Sequence, residues 1–68
     1  MRCLVRINGN ECEGMTGLTI DEMLEKQGFG GMYVVVEVNE EIIDREEFTT
    51  HLIYDGDVIE VVRFVGGG

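Results

Sequence analysis

From Arg2 to Ile7 the chain alternates, with Cys3, Val5 and Ile7 on one side and Arg2, Leu4 and Arg6 on the other, the period of two expected of a half-buried strand. Asn8-Gly9 follows, a pair suited to the positive φ angles of a two-residue hairpin turn. The return strand is expected from Glu11 to Met15, Cys12 facing inward and Glu11 and Glu13 facing water, until Thr16-Gly17 breaks it. The period then changes. Thr19 followed three residues later by Glu22 forms a capping box, and Ile20, Met23, Leu24 and Gln27 share one helical face, with Gly28 as the C-terminal cap. This predicts a helix of about eight or nine residues. After the loop Gly28-Phe29-Gly30-Gly31, the run Tyr33-Val34-Val35-Val36-Glu37-Val38 is dense in β-branched residues and predicts a strand inside the sheet. Asn39-Glu40-Glu41 turns the chain into a short strand at Ile42-Ile43, Asp44 caps a helical turn through Phe48, and Asp55-Gly56-Asp57 turns into a last strand from Val58 to Phe64.

Two strands, a helix, a strand, a short strand and a final strand describe an α+β domain: a mixed sheet of four to five strands packed on one main helix. This is the β-grasp, or ubiquitin-like, arrangement. Placing the first and last strands side by side follows from that fold analogy, because local patterns do not set strand order. The expected core is Cys3, Val5, Ile7, Ile20, Met23, Leu24, Val34, Val36, Val38, Leu52, Ile59 and Val61. No linker, repeat or second compositional regime divides the chain, so residues 1–65 read as one domain and 66–68 as a flexible glycine tail.

Composition narrows the function. With 14 acidic residues against 5 basic in 68, the formal charge is −9, which repels phosphate backbones and anionic lipid headgroups. Neither nucleic acid nor a membrane is an expected partner. The 44% hydrophobic content supports folding, and the absence of a membrane-length apolar run or a signal-peptide pattern points to the cytoplasm. Cys3 and Cys12 lack the CxxC spacing and a nearby histidine of a zinc site. In the hairpin they take diagonal positions roughly 7–8 Å apart, too far for an unstrained disulfide. Both are expected as reduced, buried, small hydrophobes.

Candidate chemistry fails position by position. Gly28-Phe29-Gly30-Gly31 follows a helix, whereas a phosphate-cradling loop precedes one. Asp55 and Asp57 supply two carboxylates where a hard cation takes six to eight oxygens. His51 is the sole histidine, and the chain has no serine for it to activate. Glu40-Glu41 and Glu46-Glu47 read as solvated turn charges in place of paired catalytic acids. No enzyme active site is evident, and no metal or cofactor is expected to be bound.

What remains is Gly66-Gly67-Gly68. Glycine tails are common frayed ends. Here, however, the tail directly follows a core strand, and its last residue would carry an ionised α-carboxylate. Four extended residues reach at most about 14 Å, and glycine lets such an arm thread a narrow site. A carboxylate delivered there can be activated as an anhydride and attacked by a nucleophile.

The stretch Val38-Asn39-Glu40-Glu41-Ile42-Ile43 followed by Arg45, the Asp55-Gly56-Asp57 turn and the Gly67-Gly68 end resemble the ThiS family, the sulfur carriers of thiamine biosynthesis. The resemblance spans nearly the whole chain. Asp44 departs from it, where members often carry proline, but aspartate also starts a helical turn well. The resemblance implies that a ubiquitin-activating-like adenylyltransferase of the ThiF type uses ATP and magnesium to adenylate Gly68. Sulfur from a cysteine desulfurase or other persulfide donor then replaces AMP, and the thiocarboxylate passes its sulfur to a thiazole synthase of the ThiG type. The chain itself would catalyse nothing. Gly67 and Gly66 would give the tail access, and outward-facing Leu4, Val62 and Phe64 would form the patch that binds the activating enzyme. Rival readings are a molybdopterin-type sulfur carrier, a ubiquitin-like protein modifier and a non-covalent β-grasp binding module.

Overall fold

The computed structural model describes residues 4–64. Five strands and one helix follow in the order β1 (Leu4–Ile7), β2 (Asn10–Glu13), α1 (Ile20–Lys26), β3 (Val34–Val38), β4 (Glu41–Ile43) and β5 (Val58–Arg63), with a 3₁₀ turn at Arg45–Glu47 between the last two. They form one mixed sheet in the spatial order β2-β1-β5-β3-β4. β1 and β5 run parallel, whereas the other neighbouring pairs are antiparallel. The last strand in sequence is therefore the middle strand in space.

Local chemistry accounts for most of these elements. Asn8 and Gly9 take φ angles of 51° and 85° and close the first hairpin, the doubly left-handed turn whose twist matches that of the flanking strands. Gly14, at φ 83°, ends β2 two residues short of Met15. In α1 the capping box is complete: the Glu22 N–H donates to Thr19 Oγ1 (3.2 Å) and the Thr19 N–H to Glu22 Oε1 (2.9 Å). At the other end the Phe29 N–H reaches the Leu24 carbonyl (2.8 Å) and the Gly28 N–H that of Glu25 (3.2 Å), the paired bonds of a Schellman motif with Gly28 left-handed. These caps stop the helix at seven residues.

Ile20, Met23 and Leu24 press the helix onto one face of the sheet, where Val5, Ile7, Val34, Val36, Val38, Ile43, Ile59 and Val61 are buried. Complete burial contributes roughly 1.5–3 kcal/mol for each large apolar side chain. Every described residue of the expected core is buried except Leu52, which is 43% exposed; its neighbour Ile53 is fully buried instead. The backbone decides this. The Ile53 N–H donates to the Leu18 carbonyl (2.9 Å) and its own carbonyl accepts from Gly17 N–H (2.8 Å), turning its side chain into the core and that of Leu52 outward. Met15 and Phe48 complete the core from the connections. Cys12 lies opposite Val5 and is half-buried, packed against the core margin, in place of the full burial expected of it. Cys3 lies outside the described residues, as do Gly66, Gly67, Gly68 and the boundary expected at residue 65. Asp44 precedes the 3₁₀ turn as expected, but its side chain makes no capping bond.

Candidate functional site: the central strand that leads to the glycines

β5 and then Phe64 precede residues 65–68 in the sequence, so what fixes β5 fixes the end of the described chain. The start of β5 is held by the second hairpin turn. Asn39 and Glu40 have φ angles of 52° and 71°. In that conformation the Asn39 Oδ1 accepts from the Val58 N–H (2.9 Å) and its Nδ2 donates to Asp57 Oδ1 (3.0 Å). Asp57 Oδ2 accepts in turn from the Tyr54 N–H (2.9 Å), and Asp55 Oδ1 from the Leu4 N–H (2.6 Å). The Val-Asn and Asp-Gly-Asp motifs thus form one hydrogen-bonded corner at the root of the strand, with no catalytic geometry.

Farther along, Asn8 bonds to Val61 (N–H to Oδ1, 2.8 Å). At the far end, Phe64 donates its N–H to the Tyr33 carbonyl (3.1 Å) and sets its ring edge-on to that of Tyr33, 5.2 Å between centroids. The Arg45 guanidinium lies 3.9 Å above the Tyr33 ring, a cation–π contact. Motif residue Arg45 therefore braces the aromatic pair at the end of β5. Beside it a hollow of about 260 Å³ is lined by Tyr33, Val35, Ile42, Arg45, Phe48 and Phe64.

The sheet face opposite the helix carries Val58, Glu60 and Val62 from β5 and Ile42 from β4, with Phe64 and Tyr33 at its end; Val58, Val62, Phe64, Tyr33 and Ile42 are all exposed. Val35 lies across from Val62 and is half-buried. One expected patch residue does not join them. Arg6 is level with Val58 in the parallel register, and Leu4 accepts from the Gly56 N–H (2.8 Å). Leu4 is thus six residues of strand from Val62 and eight from Phe64, roughly 20 and 26 Å away. It shares their face at the opposite end. Sequence alternation gives the face of a residue, but its level along a parallel neighbour is set by non-local pairing.

Glu37 and Glu60 sit directly opposite each other on this face, next to the Val35–Val62 pair. Like charges so placed repel. At the β1–β2 end, by contrast, Arg6 and Glu11 are paired at 3.6 Å, an exposed contact that contributes little. Among the described residues no three His, Cys, Asp or Glu side chains are grouped to hold a metal ion. The carbonyl of His51 accepts from the Ile20 N–H (3.0 Å), so its backbone belongs to the helix entry.

The profile of the ThiS family matches residues 5–68. The chain belongs to the ThiS family. It is 39% identical over 67 residues to the sulfur carrier protein ThiS of Bacillus subtilis, covering 96% of this chain and all of that relative. The crystal structure of the thiamine biosynthesis protein ThiS from Geobacter metallireducens superimposes with a TM-score of 0.80 at 34% identity, covering 96% of this chain and 99% of that one. That likeness bears out the β-grasp expectation, and the sheet order places the first and last strands side by side as expected. The chain is also 36% identical over 62 residues to a thiazole synthase of Paramagnetospirillum magneticum, matching 91% of this chain but spanning only 19% of that protein. A segment similar to this ThiS-family chain is thus built into a longer thiazole synthase. Asn8, Tyr33 and Arg45 were legible as a turn former, a strand residue and a motif residue, but their grip on β5 was not. The available signal was asparagine in both left-handed turns, where glycine would have served the backbone alone.

Proposed function

We propose that this chain is a sulfur carrier protein of thiamine biosynthesis, a substrate of its partners and not an enzyme, and that the α-carboxylate of Gly68 is the group that carries sulfur. The observation that carries this reading is the end-to-end match to a sulfur carrier protein, which runs through the glycines at the end of the central strand. An adenylyltransferase of the ubiquitin-activating kind joins the carboxylate to AMP, releasing pyrophosphate from magnesium-bound ATP. A persulfide, formed by a cysteine desulfurase or another donor, attacks the acyl carbon and expels AMP. A second thiol then reduces the sulfur–sulfur bond, leaving a thiocarboxylate whose sulfur goes to thiazole synthase. All of this belongs in the cytoplasm, where ATP and reducing thiols are supplied. Gly66 and Gly67 keep the arm narrow.

The activating enzyme docks on the apolar end of the open face, at Val62 and Phe64 together with Tyr33, Val35 and Ile42; Leu4 stands apart from this cluster, at the other end of the face. The net charge of −9 favours a basic surface around that contact. Incubation with activating enzyme, ATP, magnesium and a sulfur donor should add the mass of one oxygen-to-sulfur exchange, located at Gly68 by fragmentation. Deleting Gly68 should abolish activation with the melting profile unchanged, and Phe64→Asp should weaken docking while the fold persists. An unchanged mass with competent partners, or sulfur on Cys3 or Cys12, would overturn the proposal.

A further inference from the structure

The two edges of β5 are held by different means. On one side β3 pairs with it from Val38↔Ile59 to Val34↔Arg63, and the Phe64 N–H continues the ladder to Tyr33. On the other side β1 pairs with it at only two levels, Arg6↔Val58 and Ile7↔Ile59. The last backbone bond there runs from the Asn8 N–H to the Ile59 carbonyl (2.9 Å), and at Asn8-Gly9 the chain turns away into β2. The next groups that β5 presents to this edge belong to Val61. They are met by a side chain: Asn8 Oδ1 accepts from the Val61 N–H (2.8 Å), and Asn8 Nδ2 donates to the Val61 carbonyl (3.3 Å). Both bonds are partly buried and close a loop of 53 residues. A carboxamide offers the donor and acceptor of a peptide group, so Asn8 acts as one further residue of β1 after β1 has ended.

We propose that Asn8 is a positioning residue for the chemistry at the glycine end, its side chain fixing the final part of β5 and hence the direction in which residues 65–68 leave the sheet. This rests on the carrier reading given above. Without the carboxamide, β5 beyond Ile59 would be held by β3 alone, and two-stranded ribbons twist more strongly than strands flanked on both sides. The segment beyond Phe64 is short, about 14 Å at full extension. So short a segment can take up only part of an error in its departure, and at the reacting carboxylate misplacement by about 1 Å can cost about a hundredfold in rate. The docking side chains are all kept, and Val62 and Phe64 stay paired with Val35 and Tyr33 of the neighbouring chain segment, so encounter is retained while turnover falls.

Asn8→Gly is the discriminating variant, because glycine keeps the left-handed turn at φ 51° and removes only the two side-chain bonds. Amide exchange at Val61 should accelerate about tenfold relative to amides of β3 such as Val36, the loss expected for one or two net hydrogen bonds. With activating enzyme and ATP, kcat for pyrophosphate release should fall at least tenfold with KM unchanged. Asn8→Asp, which keeps the acceptor alone, should fall between. Ile43→Val serves as a control that loosens the opposite edge of the sheet and should leave kcat as in the wild type. Unaltered exchange at Val61 would overturn the clamp. Faster exchange with wild-type kcat, or a kcat loss matched by Ile43→Val, would overturn the positioning role and leave the carrier reading standing. Failure of the wild-type chain itself to be activated would overturn both.

Discussion

Exchanging the roles of two adjacent residues gives a direct test of how the long connection into β5 is packed. Ile53 is fully buried and Leu52 is 43% exposed, although by composition either could fill the core. Ile53→Ala removes buried carbon from a site tied through its backbone to both Gly17 and Leu18, which leaves little freedom to collapse around the cavity. Such truncations cost about 2–5 kcal/mol. At about 0.05–0.15 kcal/mol per residue, the stability of a chain of this length is about 3–10 kcal/mol, so the variant should lie close to its unfolding limit. Ile53→Val, at about 0.5–1.5 kcal/mol, keeps the measurement within range if Ile53→Ala does not fold. Leu52→Ala should cost about 0.5 kcal/mol or less, as surface changes do. Urea denaturation followed by far-ultraviolet circular dichroism gives the midpoints, compared at constant slope. If Leu52→Ala loses as much stability as Ile53→Ala, or more than Ile53→Val, the side-chain assignment in this connection is wrong.

The second hairpin turn offers two further tests. Asn39→Gly keeps the left-handed φ of 52° but loses the bonds to Val58 and Asp57, and should lower stability by about 1–3 kcal/mol; an unchanged urea midpoint would remove the corner from the account of β5. Glu40 occupies φ 71° with a side chain poorly suited to it, so Glu40→Gly should raise stability by about 0.5–1 kcal/mol, seen in calorimetry as a melting point several degrees higher.

Elements specified by neighbours in sequence were legible. The capping box needs only Thr19 and Glu22, the first hairpin only Asn8-Gly9, and β3 only its run of valines; each is a bond or a backbone preference within four residues. The choice between Leu52 and Ile53 is different in kind. It follows from hydrogen bonds to Gly17 and Leu18, more than thirty residues away, and the connection has no period that alternation could reveal. Leu4 failed for a related reason: its outward face was readable, while its level along β5 depends on a parallel pairing that no local pattern states. The glycine end drew the chemical reading because a side-chain-free arm after a core strand is unusual, while the asparagines that hold β5 were visible only as turn formers.

That double use of asparagine has a topological cause. A central strand that ends the domain must be gripped along its length, yet its neighbours are hairpin strands that turn away before it finishes or join it only after it has begun. β1 leaves at Asn8, level with the middle of β5, and β3 turns into β4 at Asn39, level with its start. At each departure the neighbouring backbone leaves groups of β5 unmet: both those of Val61 beside Asn8, and the N–H of Val58 beside Asn39, whose own N–H meets only the Val58 carbonyl (2.7 Å). Glycine would make either turn and leave those groups to water. Asparagine tolerates the same left-handed backbone and returns a peptide-like carboxamide to the strand, so one residue both ends the neighbour and substitutes for it. The Val-Asn motif is on this argument a device for holding the start of β5, and Asn8, outside that motif, does the same for its end.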